Sequence, residues 1–358
     1  MFPPTKYLEW AIRFGGSCKF DLATSGIASG CDLLEGESIS LHDPHGWQRA
    51  HEAVARANDV PKTEAVLTLG TAHAVWLAYA SLLSPGDEIL IEEPAYEPLL
   101  NAAIGMGLLV KRFDRPENKG FQVDPEIVAR AITSKTKAIV VSNLHNPSGA
   151  RTSHDVLKAI ANAAAKVGAF LIVDEVYAPF DELCDDAGIW KDTARKIAPN
   201  VVALSSLTKC YGLGSHRIGW LLAPANVIAH ANSALLATCA MLPLAHANLA
   251  LRAFAALPEL AKRSRHRLAE KRNAATAWVA SRSDLAWTAP TSGLFGFVRV
   301  KKNGDVRAAI ERGMKDEQVM VMPGEFFELP HGFRLAWSLD EALLPEAFVR
   351  LGRVLDSI

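Results

Sequence analysis

Cysteine is scarce and unpatterned in this sequence: Cys18, Cys31, Cys184, Cys210 and Cys239 make an odd number with no CxxC pair. Neither a disulfide framework nor zinc-ligand spacing can be built from them, so no metal is expected and a reducing, cytoplasmic setting fits. Excess charge is lacking too, because 38 Lys plus Arg against 39 Asp plus Glu leave a formal net charge of -1. Nothing therefore favours nucleic acid or an anionic membrane as partner, and any anion must be met by a local site. Long apolar runs are also missing. The greasiest stretch, residues 227–257, is interrupted by His230, Asn232, Pro243, His246 and Asn248, which a bilayer-spanning helix would not tolerate. It reads as two buried or interfacial helices parted near Pro243. The opening MFPPTKYLEWAIRF mixes charged and apolar residues without the apolar centre of a secretory signal.

What is present is a large stock of core-forming residues: 49% of the 358 residues are hydrophobic, ample for about two domains. Short apolar runs at 65–69, 88–92, 108–113, 137–142, 169–174, 200–205 and 219–223 alternate with longer helical patterns. That alternation predicts an α/β fold, a large domain with a mostly parallel seven-stranded sheet flanked by helices. Beyond Ala245 the pattern changes. An Ala-, Arg- and Leu-rich segment to about Ala280 predicts one long helix, followed by the strands LFGFVRV, QVMVM and GFRLAWS and a closing helix over 341–355. The helix-like KYLEWAIRF near the start is expected to pack with this unit. The predicted division is a large domain over 42–250 and a smaller α+β domain made of both chain termini, 1–41 and 251–358.

In open α/β sheets ligands bind beyond the carboxyl ends of the strands, and five such junctions here are chemically unusual. In LTLGTAHAV, Gly70, Thr71 and Ala72 open a helix whose free N–H groups suit a phosphate, although the same residues would serve as an ordinary cap. In EEPAYEP two prolines hold Tyr96 in a rigid turn, where its ring can stack on a planar cofactor or simply fill a core. In VVSNLHNPSGA a turn explains Pro147 and Gly149, while Asn146 offers an amide to a phenolic oxygen. In LIVDEVYAPF, Asp174 ends a strand apolar enough to be buried on both faces; it is either a helix cap or the partner of a cation. In SSLTKCYGLGSHRIGW, Lys209 stands among small residues, with Arg217 shortly after.

An acid, an amine, an amide donor, a stacking ring and an anion pocket are together what pyridoxal 5'-phosphate needs: a lysine for its aldehyde, a carboxylate for its ring nitrogen, a helix N-terminus and arginine for its phosphate. The chain resembles the fold-type I, class I/II aminotransferases of the aspartate aminotransferase superfamily over nearly its whole length, through HDPHGW, GTA, PGDEI, PAYEP, HNPSG, DEVY, SSLTKCYGLGSHRIG, SGLFGF, VMPGEFF and FRLAWS. The resemblance implies pyridoxal phosphate as cofactor, a Schiff base and proton shuttle on Lys209, and Asp174 on the pyridinium. It further implies Tyr177 and Asn146 on the ring hydroxyl, Tyr96 on the ring face, and Thr71, Ala72, Ser206 and Arg217 on the phosphate. Arg334 matches the arginine that clamps the substrate α-carboxylate, a task suited to its planar fork. Gly26 and Ile27, in FDLATSGIAS, match pocket-lining positions. The implied activity is transfer of an amino group between an L-amino acid and a 2-oxo acid in a homodimer.

Two departures stand out. Leu41 occupies the place of a tyrosine that reaches a phosphate across the dimer interface in relatives, and His216 stands beside Arg217, as a polar contact or a surface residue. No second arginine can be assigned to a substrate side chain, so dicarboxylic specificity is not supported. A pyridoxal phosphate lyase or cyclase is the competing expectation, because the pocket steers the fate of a shared carbanion.

Overall fold

The β-branched and aliphatic runs form strands because extended backbone packs such side chains without loss of rotamer freedom. In the computed structural model, which describes residues 1–27, 31–34, 43, 45–181, 184 and 190–358, seven of them make one sheet. They are β1 (Ala65–Leu69), β2 (Glu88–Glu93), β3 (Leu109–Asp114), β4 (Thr136–Ser142), β5 (Phe170–Asp174), β6 (Val201–Ser206) and β7 (Ile218–Leu222). Their order across the sheet is β1-β7-β6-β5-β4-β2-β3. All neighbours are parallel except β7, which runs antiparallel to both β1 and β6. Residues of β4, β5 and β6 are buried nearly throughout, as expected of a parallel sheet covered on both faces by helices.

Residues 227–257 hold two helices, Ala225–Cys239 and Leu244–Ala255, the second starting directly after Pro243. No helix among the described residues is long and apolar enough to cross a membrane. The single helix expected from Ala245 to Ala280 is corrected: three helices occupy that stretch, Leu244–Ala255, Leu257–Arg265 and Leu268–Ala280. Pro258 lacks a backbone N–H and fits only a first helical turn, and Arg267 adopts a left-handed φ of 54°. The closing helix is Leu344–Asp356, starting three residues late because Pro345 again sits in its first turn.

A second, antiparallel sheet contains Leu285–Ala286, Phe295–Val300, Met322–Pro323 and Gly332–Ala336. Phe20–Asp21 pairs in parallel with Val319–Met320, tying the start of the chain to its end. Tyr7, Trp10 and Phe20 accordingly share a hydrophobic core with Phe333, Trp337 and Phe348, separate from the core around the large sheet.

Candidate active site

Three neighbouring parallel strands, β4, β5 and β6, end at one edge, with Ser142 paired to Asp174 and Asp174 to Leu204. Asp174 ends β5 at that edge, and the turns that follow β4 and β6 bring Asn146 and Lys209 to it. All three line one cavity of about 370 Å³ together with Thr71, Ala72, Tyr96, Tyr177 and Arg217.

Burial sets the electrostatics. Asp174 is 4% exposed, and desolvation pushes its carboxyl up to about 7; the nearby Glu92 raises it further, while the Val176 N–H and Lys209 oppose the shift. The Val176 N–H lies 3.1 Å from Asp174 Oδ1. Lys209 is half-buried, and its amine is held below the ordinary lysine value by desolvation first and by the cations Arg334 and Arg217, with Tyr7 and Asp174 working the other way. A larger share of neutral amine at ordinary pH is what a nucleophile or proton acceptor requires. Burial pushes the phenols of Tyr96 and Tyr177 well up, so both remain neutral donors. Tyr177 donates to the Ser25 carbonyl at 3.2 Å and meets Phe295 edge-on.

The anion end is built from small residues. Helix Thr71–Leu82 begins after Gly70, whose φ of +79° places it in the left-handed region, and a Cβ there would lie 2.6 Å from Arg217 Nη2. Glycine is thus required both by conformation and by the guanidinium seated against it. Gly219 makes the same allowance one strand away, where a Cβ would meet the Gly70 backbone at 2.6 Å. The Thr71 hydroxyl is 2.9 Å from Ser206 Oγ, which lies 2.7 Å from Thr208 Oγ1. Hydroxyls, a helix N-terminus and an exposed arginine make a donor set suited to a phosphate. His216 is half-buried, its Nδ1 3.2 Å from Ser215 Oγ.

Arg334 enters from the second sheet and is fully buried. Its Nη1 donates to Asn146 Oδ1 at 2.9 Å and its Nη2 to the Ala23 carbonyl at 2.7 Å, while its Nε has no hydrogen-bond partner among the described residues. A buried donor left over in a cation flanked by the rings of Tyr7, Phe295 and Phe327 calls for an anion. Gly26 lies against Lys209, its would-be Cβ 3.7 Å from the lysine Cδ, and the Ile27 N–H donates to the Lys209 carbonyl at 3.0 Å. Every candidate residue therefore reaches this region. Leu41 and His42 lie outside the described residues.

Three supports have no role assigned from the sequence, although His145 lies within the HNPSG motif. Tyr7, 3% exposed, packs edge-on against Tyr96 at 5.2 Å and under the Arg334 guanidinium at 5.6 Å. Burial works to raise its phenol, but the charges of Arg334 and Lys209 and contacts with Ser25 and Arg334 outweigh it and pull it below the ordinary value. Glu92 and Arg115 form a fully buried pair at 2.6 Å that also holds the end of β4 through the Ser142 N–H and hydroxyl. His145 braces its own turn, Nδ1 2.6 Å from Ser148 Oγ and Nε2 3.0 Å from the Pro94 carbonyl.

Residues 35–351 match the family model for aminotransferase class I and II. The chain belongs to this family. It is 28% identical over 321 residues to the arginine–pyruvate transaminase AruH of Pseudomonas aeruginosa, covering 87% of this chain and 81% of that one. It is also 28% identical over 342 residues to the capreomycidine synthase of Streptomyces vinaceus, covering 91% and 82%. Among solved structures, a PLP-dependent aminotransferase from Streptococcus suis superposes with a TM-score of 0.87 at 24% identity, covering 99% of this chain and 98% of that one. The PLP-dependent cyclase OrfR gives a TM-score of 0.86 at 22% identity, covering 99% and 97%; both likenesses concern the fold. The enzyme is an aminotransferase using pyridoxal phosphate, and the donor set described above fits that cofactor at its phosphate, ring nitrogen and aldehyde.

Proposed function

We propose that the enzyme moves an amino group between an L-amino acid and a 2-oxo acid through Lys209. The observation that carries this reading is the meeting of a half-buried amine and a buried carboxylate at one sheet edge, with a buried arginine that has an uncommitted donor reaching over to Asn146 of the same cavity. When bound, pyridoxal phosphate supplies a protonated pyridine able to absorb the charge left at the substrate α-carbon. In our reading Asp174 keeps that ring nitrogen protonated, as its cost of burial is relieved only by a cation. Thr71, Ala72, Ser206 and Arg217 hold the phosphate with Gly70 giving close approach, and Tyr177 and Asn146 serve the ring hydroxyl. Tyr96 offers its ring face. Arg334 fixes the substrate α-carboxylate, which decides the bond turned toward Lys209, and the lysine amine takes the α-proton and would hand it to the cofactor's former aldehyde carbon, as amino transfer requires. Gly26 and Ile27 keep the lysine side of the pocket narrow.

The expected result is that Lys209→Ala abolishes 2-oxo acid formation from every donor, while the purified protein still melts cooperatively. Retained turnover would remove Lys209 from this role. The likeness to capreomycidine synthase supports a cyclase as second reading; it is favoured if the amino donor is consumed without a matching 2-oxo acid. We also read the enzyme as a cytoplasmic homodimer divided near residues 42 and 250. Leu236 and Met241, 65% and 63% exposed beside an apolar groove lined by Trp47 and Leu242, support pairing with a second copy, which sedimentation checks.

A further inference from the structure

The cavity does not end at the cofactor residues. It continues past Tyr96 along a wall to which the N-terminal segment contributes Phe2 and Leu8 and two flanking helices contribute Val75, Trp76 and Leu99. Among its described lining residues the charged groups are Asp174, Lys209 and Arg217, all of them occupied by the cofactor in the reading above. The polar side chain that Asn101 offers to the wall is also committed, as is Glu97 behind it. Asn101 donates its amide to the Pro4 carbonyl at 3.0 Å and to the Thr5 hydroxyl at 3.4 Å. Both oxygens of Glu97 accept backbone N–H groups, from Lys6 at 3.2 Å and Tyr7 at 2.6 Å. The carboxylate thereby caps helix Lys6–Phe14 and fastens Leu8 in place.

A charged side chain entering this arm would give up part of its water and meet no counter-charge among the described lining residues, whereas an apolar one would gain by burial. Arg334 does not line this wall; it lies deeper, against Asn146 and Ala23. We propose that the amino donor of this enzyme carries a large, uncharged, apolar side chain, lodged against Leu8, Phe2 and Trp76. The proposal rests on the aminotransferase reading of the same site.

The test uses the cofactor-loaded enzyme with pyruvate as acceptor and compares kcat/KM for phenylalanine, leucine and methionine with that for aspartate, glutamate and arginine. The expected preference for the apolar set is roughly 100-fold, the order that an unpaired charge or a few misfitting methylenes impose. Leu8→Arg should raise the aspartate-to-phenylalanine ratio at least about tenfold with the visible band of the bound cofactor retained. If that variant does not load cofactor, Leu8→Ala decides instead, lowering kcat/KM for phenylalanine roughly tenfold. Equal or better turnover of the charged donors overturns the proposal and leaves the role of Lys209 standing. Failure to form 2-oxo acid from any donor overturns the aminotransferase reading, and the proposal falls with it.

Discussion

Asp174 shows how one buried atom group ties chemistry to stability. Its ordinary value of 3.8 is pushed up to about 7, with burial as the largest cause. Between those values the folded apoprotein binds a proton that the unfolded chain releases, so apoprotein stability falls as pH rises through that window and the penalty persists above it. Three pH units correspond to about 4 kcal/mol at most. Urea melts of the apoprotein at pH 5 and pH 8 should show a loss on going to the higher pH that is smaller in Asp174→Asn. Glu175, also raised to about 7 by burial, is present in both proteins and cancels apart from the upward push that the Asp174 charge adds to it, the smallest of its causes. Parallel behaviour of the two proteins would place the carboxylate in contact with water or a cation in the apo state. On the proposed role of Asp174, a protonated ring nitrogen would be the partner that the acid lacks, and the penalty should shrink when the cofactor is loaded.

The elements around the site were legible in unequal measure, for physical reasons. Strands β4, β5 and β6 announce themselves because buried parallel strands need unbroken aliphatic runs, and the residues at or just past their ends, Asn146, Asp174 and Lys209, inherit a position from that rule. Residues 244–280 read as one helix because Ala, Leu and Arg favour helix throughout, so only Pro258 and the left-handed Arg267 divide it. Tyr7 could not be found from its neighbours in sequence, since it meets Tyr96 and Arg334 only in the folded chain, on a helix whose first N–H groups are held by Glu97, ninety residues away. That cap gives a prediction. Glu97→Ala should cost about 1 kcal/mol of helix anchoring and lower kcat/KM for the amino donor by roughly fivefold, the equivalent of that energy, while the cofactor loads normally. A lower melting temperature with unchanged donor kinetics would make the cap purely structural.

At the scale of the whole molecule, two hydrophobic cores share one site unequally. The side chains assigned to the cofactor come from the unit built on the large sheet, whereas Arg334 belongs to Gly332–Ala336 of the second sheet and crosses to Asn146. On the proposed assignments, ligands would act on the two units in sequence. Pyridoxal phosphate at about 100 times its dissociation constant adds roughly 2.7 kcal/mol to the state that binds it. That stabilisation should appear first where the binding residues sit. Hydrogen exchange should slow in β4, β5 and β6 on adding cofactor, with little change in Phe295–Val300 and Gly332–Ala336. Adding a 2-oxo acid to the pyridoxamine form should then slow exchange in the second sheet, because its carboxylate satisfies the donor that Arg334 Nε holds unpaired among the described residues. Equal protection of both sheets by the cofactor alone would show one cooperative unit and remove Arg334 as the link that couples substrate binding to the second core.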